Sequence, residues 1–216
     1  IDLSDSGLSG INVSGEVLNI KAMTTHADVS NSSEVQNSIS AISDLAGQIG
    51  DHMVRNRGTI GGSVANNDPS ACYPSAVLSL DATIKTNSRE IKSDDFFTGL
   101  FETALDEGEL ITEFSFPIPE KSSYAKFSNP ASRYAVVGVF VSKFANNVRV
   151  AVTGAGQNGV FRSNEIEQAL NNNFSVNSLD EISLDKDEMF SDIHAQNDYR
   201  AHLVVEMAKK AVKSIS

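Results

Sequence analysis

Thr59-Ile60-Gly61-Gly62-Ser63-Val64-Ala65-Asn66-Asn67-Asp68-Pro69 decides how the rest of the chain is read. Two adjacent glycines reach conformations closed to other residues and leave no Cβ between backbone and ligand. Amides freed in such a turn point outward together and can cradle a pyrophosphate. Thr59 and Ser63 add hydroxyl donors on either side, and a helix after them would supply partial positive charge at its N-terminus. A plain Gly-Gly turn beside a helix is the alternative, and the stretch alone leaves both open.

Upstream, Val17 to Ala22 alternates as a short strand after the turns around Gly7, Gly10 and Gly15. Val35, Ile39, Ile42, Leu45, Ala46 and Ile49 fall at three- and four-residue spacing and predict one helix. Ser32 or Ser33 caps it, and Gly50 ends it. Arg55 to Gly62 reads as a loop. Downstream come a short helix from Pro74 to Leu80, then strands at Ala82–Thr86, Glu90–Lys92 and Leu110–Phe116. Pro117 and Pro119 stop the last strand and mark the best boundary. Beyond it, Tyr134–Lys143 and Val148–Thr153 flank Asn146-Asn147, a turn pair that tolerates positive φ. A helix from about Tyr199 closes the chain. The fold class is α+β, in two parts: 1–119 and 120–216.

Gly154-Ala155-Gly156-Gln157-Asn158-Gly159 satisfies G-x-G-x-x-G after a strand. A dinucleotide fold also needs a second parallel strand ending in an acid. Here a hairpin partner lies just upstream, and an Asn-rich loop and an acidic stretch follow. A glycine-rich turn is the better account, with a nicotinamide-binding enzyme as its rival.

The chain has 216 residues and a net charge of −11. Nine acids and one base lie between Glu165 and Asp198. That balance works against nucleic acid and anionic membranes, both of which need a basic face. No apolar run reaches the roughly 20 residues of a membrane span, and no signal peptide opens the sequence. The chain begins on Ile1, in mid-domain style, and reads as a fragment. One cysteine, Cys72, excludes an internal disulfide framework and a cysteine-rich cluster; it reads as a buried small residue or as a reactive thiol. The four histidines lack metal-ligand spacing, and no nucleophile–base pair stands out. Arg55 and Arg57 suit either a phosphate or a surface contact.

Thr59 to Ser63, with Val54-Arg55-Asn56-Arg57-Gly58 before and Ala65 to Pro69 after, resembles the FAD-binding signature of the xanthine dehydrogenase and carbon monoxide dehydrogenase flavoprotein family. Ala22 to His26, Asp94 to Gly99, Phe101 to Ala104 and Gly108 to Ile111 are similar to further family segments. Asn129 to Ala135, Ser191 to His194 and Tyr199 to His202 resemble the carbon monoxide dehydrogenase branch. The likeness covers nearly the whole chain. It implies an α/β FAD domain, lacking its N-terminal segment with the first glycine loop, followed by a smaller domain with an antiparallel sheet and helices.

The resemblance implies cofactor-binding roles for Thr59, Ile60, Gly61, Gly62, Ser63 and Asn67. It places Ile49 and Leu110 at the adenine end, and Lys126 and Tyr134 near the isoalloxazine; from the residues alone Tyr134 reads first as a plain strand-core tyrosine, with stacking on flavin the alternative. Position 72 departs from the pattern, since relatives usually carry Asp there. Either Asp68 compensates for Cys72 or that polar contact is lost. The implied role is an oxidoreductase subunit with no catalytic or metal-ligating residue of its own. It would pass electrons through FAD from [2Fe–2S] clusters on a small partner to an external acceptor. A large partner would carry the molybdenum cofactor, in a dimer of heterotrimers. The implied location is cytoplasmic, at most peripheral to the inner face of the membrane. The rival reading is a cofactor-free subunit kept for complex assembly.

Overall fold

The computed structural model describes residue 3 and residues 5–216. β1 (Ile11–Ser14) and β2 (Val17–Lys21) form the first hairpin. Leu18 and Ile20 point to one face of β2 and are fully buried, as a period of two requires. Helices α1 (His26–Asn31), α2 (Ser33–Ser38) and α3 (Ser40–Gly47) follow. The single helix expected from Val35 is thus two, preceded by a third. Ser32 is extended at φ −69°, ψ 126° and its hydroxyl accepts from the Val35 N–H, so it opens a new helix. Ile39 breaks the chain again at φ −136°, ψ 74°. Its side chain is still buried with Val35, Ile42 and Leu45, so the apolar spacing survives a break that it does not record.

The expected loop is also helical. α4 (His52–Arg57) starts at Asp51, whose carboxylate accepts from the Val54 N–H. α5 (Ile60–Asn66) starts at Thr59, whose hydroxyl accepts from the Gly62 N–H. Gly61 sits in the first turn of α5 because of its packing. A Cβ there would lie 2.6 Å from Ala22 Cβ and 2.7 Å from its carbonyl oxygen. At Gly62 the nearest contact would be Thr59 Oγ1 at 3.1 Å. Gly61→Ala is therefore expected to cost ~1–3 kcal/mol through overpacking. Gly62→Ala should stay within about 1 kcal/mol of wild type, helped by helix propensity. Urea midpoints of the two variants check the contrast.

α6 (Tyr73–Ser79) leads to β3 (Thr83–Thr86) and β4 (Glu90–Lys92). α7 (Ser93–Phe96) and a small ribbon of β5 (Phe97–Gly99) and β6 (Glu102–Thr103) precede β7 (Ile111–Pro117). The first sheet has the order β1-β2-β7-β3-β4, and every neighbouring pair is antiparallel. Phe114 and Phe116 of β7 are fully buried against its helices.

The chain crosses to the second sheet between Pro117 and Lys121. β8 (Lys121–Ser128), β9 (Ala135–Lys143), β10 (Val148–Gly156) and β11 (Gly159–Arg162) form an antiparallel sheet in the order β11-β10-β9-β8. α8 (Asn164–Asn172) and α9 (Asn197–Ile215) pack on it, and α3 and α6 of the first part reach it as well. β9 and β10 are covered on both faces, so burial runs almost unbroken along them, including Ser142, Arg149 and Thr153. The β9–β10 connection departs from expectation. Asn146 and Asn147 are not among the positive-φ residues, and a Phe144 N–H to Asn147 carbonyl bond of 2.8 Å closes a four-residue loop instead. The G-x-G-x-x-G segment is a β10–β11 hairpin, with Gly156 paired to Gly159. Gly154 has φ +81°, and a Cβ on it would fall 2.6 Å from the Ala135 carbonyl oxygen. These glycines serve a bulge and a turn; the nicotinamide reading is overturned.

Polar groups seal the seam between the two parts. Arg149, on β10, donates to the Leu78 carbonyl through Nε (3.2 Å) and Nη2 (2.8 Å) and pairs with Asp94. Ser79 donates to the Arg149 carbonyl at 2.9 Å.

Candidate functional site

A cavity of about 480 Å³ lies at one end of this seam. That volume is within the range of small-molecule sites. Its floor is the α4–α5 turn, with Gly58, Thr59, Gly62 and Ser63 facing inward. Its far wall comes from the second sheet: Lys126 on β8, and Ser132, Arg133 and Tyr134 before β9. Ile49 and Gly50 form the rim.

The backbone amides of the glycine turn do not point outward as expected. Ile60 N–H donates to the Thr24 carbonyl at 3.1 Å, Gly61 N–H to the Ala22 carbonyl at 2.8 Å, and Ser63 N–H to the Thr59 carbonyl at 3.0 Å. Gly62 N–H is taken by Thr59 Oγ1 at 3.1 Å. The Thr59 hydroxyl keeps its own hydrogen while accepting, and so still has a donor to offer. What the glycines supply is close approach: Gly61 to Ala22, and Gly62 to the cavity.

The charge comes from side chains. Arg57, Arg133 and Lys126 line the cavity against one carboxylate, Asp68, in a chain whose net charge is −11. Among the described residues none of these cations has a carboxylate partner, whereas Arg89, Arg149, Arg162 and Arg200 all do. Lys126 is buried, and its ammonium donates to the Gln48 carbonyl (2.6 Å) and the Arg133 carbonyl (3.0 Å), with Cys72 Sγ at 3.6 Å. Arg133 reaches the Gly50 carbonyl at 3.2 Å, and Arg55 the Ile49 and Gly50 carbonyls at 3.0 and 3.2 Å. Cations thus hold the rim through its carbonyls and leave the cavity positive. Such a surplus suits a dianion.

Of the residues expected here, Thr59, Gly62, Ser63, Ile49, Cys72, Lys126 and Tyr134 line the cavity. Tyr134 is 54% exposed, so it is not a strand-core tyrosine. Cys72 is buried beside Lys126, and Asp68 supplies the cavity's carboxylate. Four others lie elsewhere. Ile60 and Gly61 are buried beneath the floor. Asn67, at φ +44°, gives its amide to the Gly99 and Glu102 carbonyls and so holds the β5–β6 ribbon. Leu110 is exposed near the β3–β4 turn, its N–H on Asn87 Oδ1 at 2.9 Å.

Sequence reasoning missed His26 and Arg133. Nothing near Arg133 in the chain hints that the strand order brings it to Gly50. His26 carried no metal spacing, and its place shows only once Gly58 is seen against it. Burial, with the positive charge of Arg55 adding to it, holds the His26 imidazole down to about 4. Between about 4 and the unfolded value of about 6.5 the unfolded chain binds a proton that the folded chain refuses. Stability is therefore expected to fall as pH drops through that window. The gap of about 2.5 units at about 1.36 kcal/mol each gives about 3 kcal/mol. Urea unfolding at pH 7 and pH 4, compared with His26→Phe, checks it: the variant should lack this part of the loss.

Residues 1–119 match the family described as FAD binding domain in molybdopterin dehydrogenase. The chain is 29% identical to the nicotine 6-hydroxylase medium subunit of Paenarthrobacter nicotinovorans, over 98% of this chain and 80% of that protein. It is 30% identical to the glyceraldehyde dehydrogenase medium chain of Sulfolobus acidocaldarius, over 92% of this chain and 76% of that one. Among solved structures, reconstituted CO dehydrogenase from Oligotropha carboxidovorans superposes with a TM-score of 0.86 at 25% identity, covering 95% of this chain and 77% of that one.

Proposed function

The chain belongs to the FAD-binding family of the molybdopterin dehydrogenases, and we propose that it is the flavin subunit of a carbon monoxide dehydrogenase-type enzyme, relaying electrons from iron–sulfur clusters to an external acceptor. FAD is its cofactor. When bound, the flavin supplies the redox chemistry, and the protein's share is to bind, orient and tune it. The observation that carries the reading is the positive cavity at the seam, built around the Thr59–Ser63 turn in an acidic chain.

The residues present fit the group. Arg57 and the Thr59 and Ser63 hydroxyls offset and hydrogen-bond the pyrophosphate. Ile49 offers an apolar rim to a base. The exposed ring of Tyr134, at the other side of the cavity, packs against a flat ring and keeps water from it. Lys126 fixes the rim and adds buried positive charge that favours an electron-rich ring. Among the described residues no helix is long and apolar enough to cross a membrane; we place the complex in the cytoplasm, at most peripheral to the inner face of the membrane.

The partners in this reading are a large chain with the molybdenum cofactor and a small chain with [2Fe–2S] clusters, as a dimer of heterotrimers. The substrate is read on the large chain, which is why medium subunits named for nicotine and for glyceraldehyde align equally well with this one. The carbon monoxide assignment draws on the fold likeness to CO dehydrogenase and on the segments Asn129 to Ala135, Ser191 to His194 and Tyr199 to His202. It is tested by adding carbon monoxide, nicotine or glyceraldehyde anaerobically to the complex purified through this chain. Carbon monoxide is expected to bleach the oxidised flavin. Bleaching by either of the others alone would refute the carbon monoxide assignment and leave the electron-transfer role standing.

A further inference from the structure

His26 stands in the cavity wall and is only 4% exposed; among the described residues its buried Nδ1 has no hydrogen-bond partner, and Nε2, which is not sealed off in the same way, meets no protein partner either. Nδ1 bears the cost of a buried unpaired group, which leaves Nε2 as the nitrogen that something other than protein can serve.

The surroundings are shaped to keep the ring there. The His26 N–H donates to the Gly58 carbonyl at 2.9 Å, which fixes the start of α1 against the α4–α5 turn. The ring leans on Tyr73, with centroids 5.3 Å apart. A Cβ at Gly58 would come within 2.5 Å of His26 Nε2, so the glycine before Thr59 leaves room for the imidazole. Nδ1 is sealed off, and an orphaned lone pair is the lesser penalty than an orphaned N–H. The hydrogen therefore belongs on Nε2, the nitrogen beside Gly58 on the cavity floor.

We propose that His26 is a further cofactor-binding residue, donating from Nε2 to a phosphate oxygen of the FAD pyrophosphate held above Thr59 and Ser63. The assignment rests on the FAD reading of the cavity. The imidazole is neutral at physiological pH, because burial keeps it so. It thus adds a directed donor where Arg57 adds charge. A neutral donor in a dry wall discriminates by geometry more than by charge.

The test uses the complex purified through this chain and stripped of flavin, carrying wild-type His26, His26→Phe or His26→Gln. Phenylalanine keeps the contact with Tyr73 and fills the space without a donor; glutamine restores one. Affinities are measured for FAD, for ADP as a probe with the pyrophosphate and no flavin, and for adenosine with neither. His26→Phe is expected to weaken FAD and ADP by a similar factor, about tenfold, with adenosine unchanged and a thermal midpoint no lower than that of wild type. His26→Gln should recover much of that loss. FAD and ADP binding that is unchanged in His26→Phe overturns this assignment alone. So does an equal weakening of adenosine, which would put the contact elsewhere on the nucleotide. A wild-type complex that takes up no FAD overturns the cofactor reading and this assignment with it.

Discussion

Replacing Arg200 by methionine is expected to destabilise the chain by ~3–5 kcal/mol, the range for breaking a buried charge network from one side. Arg200 is 1% exposed on α9. Its Nη1 donates to the Val136 carbonyl at 2.6 Å and to the Gly154 carbonyl, and its Nη2 to Asp192 at 2.7 Å. The guanidinium also lies 4.1 Å from the Phe190 ring centroid. The geometry explains why the loss should be large. Gly154, at φ +81°, leaves the β10 ladder, its N–H going to the Pro69 carbonyl and its carbonyl to Arg200. Methionine fills the volume but strands two sheet carbonyls and a partly buried carboxylate. Urea unfolding of the full chain measures the change. A loss under about 1 kcal/mol would mean that water reaches the bulge and the network is dispensable.

The second large effect is on the cofactor. Lys126→Met is expected to weaken FAD binding about 30- to 300-fold, corresponding to ~2–3.4 kcal/mol for removing a buried charge that faces an anion. Two causes act together. The cavity loses a buried positive charge, and the rim loses the bonds to the Gln48 and Arg133 carbonyls that join the two parts. Lys126→Arg is not expected to rescue it. Gln48, Arg133 and Cys72 surround a compact ammonium, and a planar fork cannot meet all of them in that space. Titrating flavin-free complex with FAD and following flavin fluorescence separates the cases. Wild-type affinity in Lys126→Met would remove Lys126 from the site.

The legible and illegible parts of this protein divide along physical lines. Strands with a buried face alternated clearly, so β2, β3 and β7 stand where the pattern put them. The α2–α3 region shows the opposite. The Ser32 cap was readable from residue type, but apolar spacing reports only which face is buried and is silent on the backbone break at Ile39. Gly61 and Gly62 were visible as a pair, but their roles differ for a reason outside their own segment. Ala22, some forty residues earlier, presses on one and not on the other.

The same holds for the site. Thr59, Gly62 and Ser63 share one local turn, and the turn was readable. Lys126 and Tyr134 were reached only through family likeness, because they meet the turn across the seam. Arg133, at φ +62°, and His26 come from segments with no chemical signature of their own. Asn67 shows the converse hazard. It stands in the most telling stretch of the sequence, yet its side chain is spent on the Gly99 and Glu102 carbonyls.

Whether this cavity holds FAD is read from the flavin content of the native complex purified through this chain. The complex is denatured and the released cofactor identified and counted. About one FAD for each copy of this chain is the expected result, with molybdenum and iron present and the flavin reduced by the partner's substrate. A complex that keeps its partners yet releases no flavin would contradict the account. It would leave a structural subunit in which Gly61 and Gly62 serve packing alone.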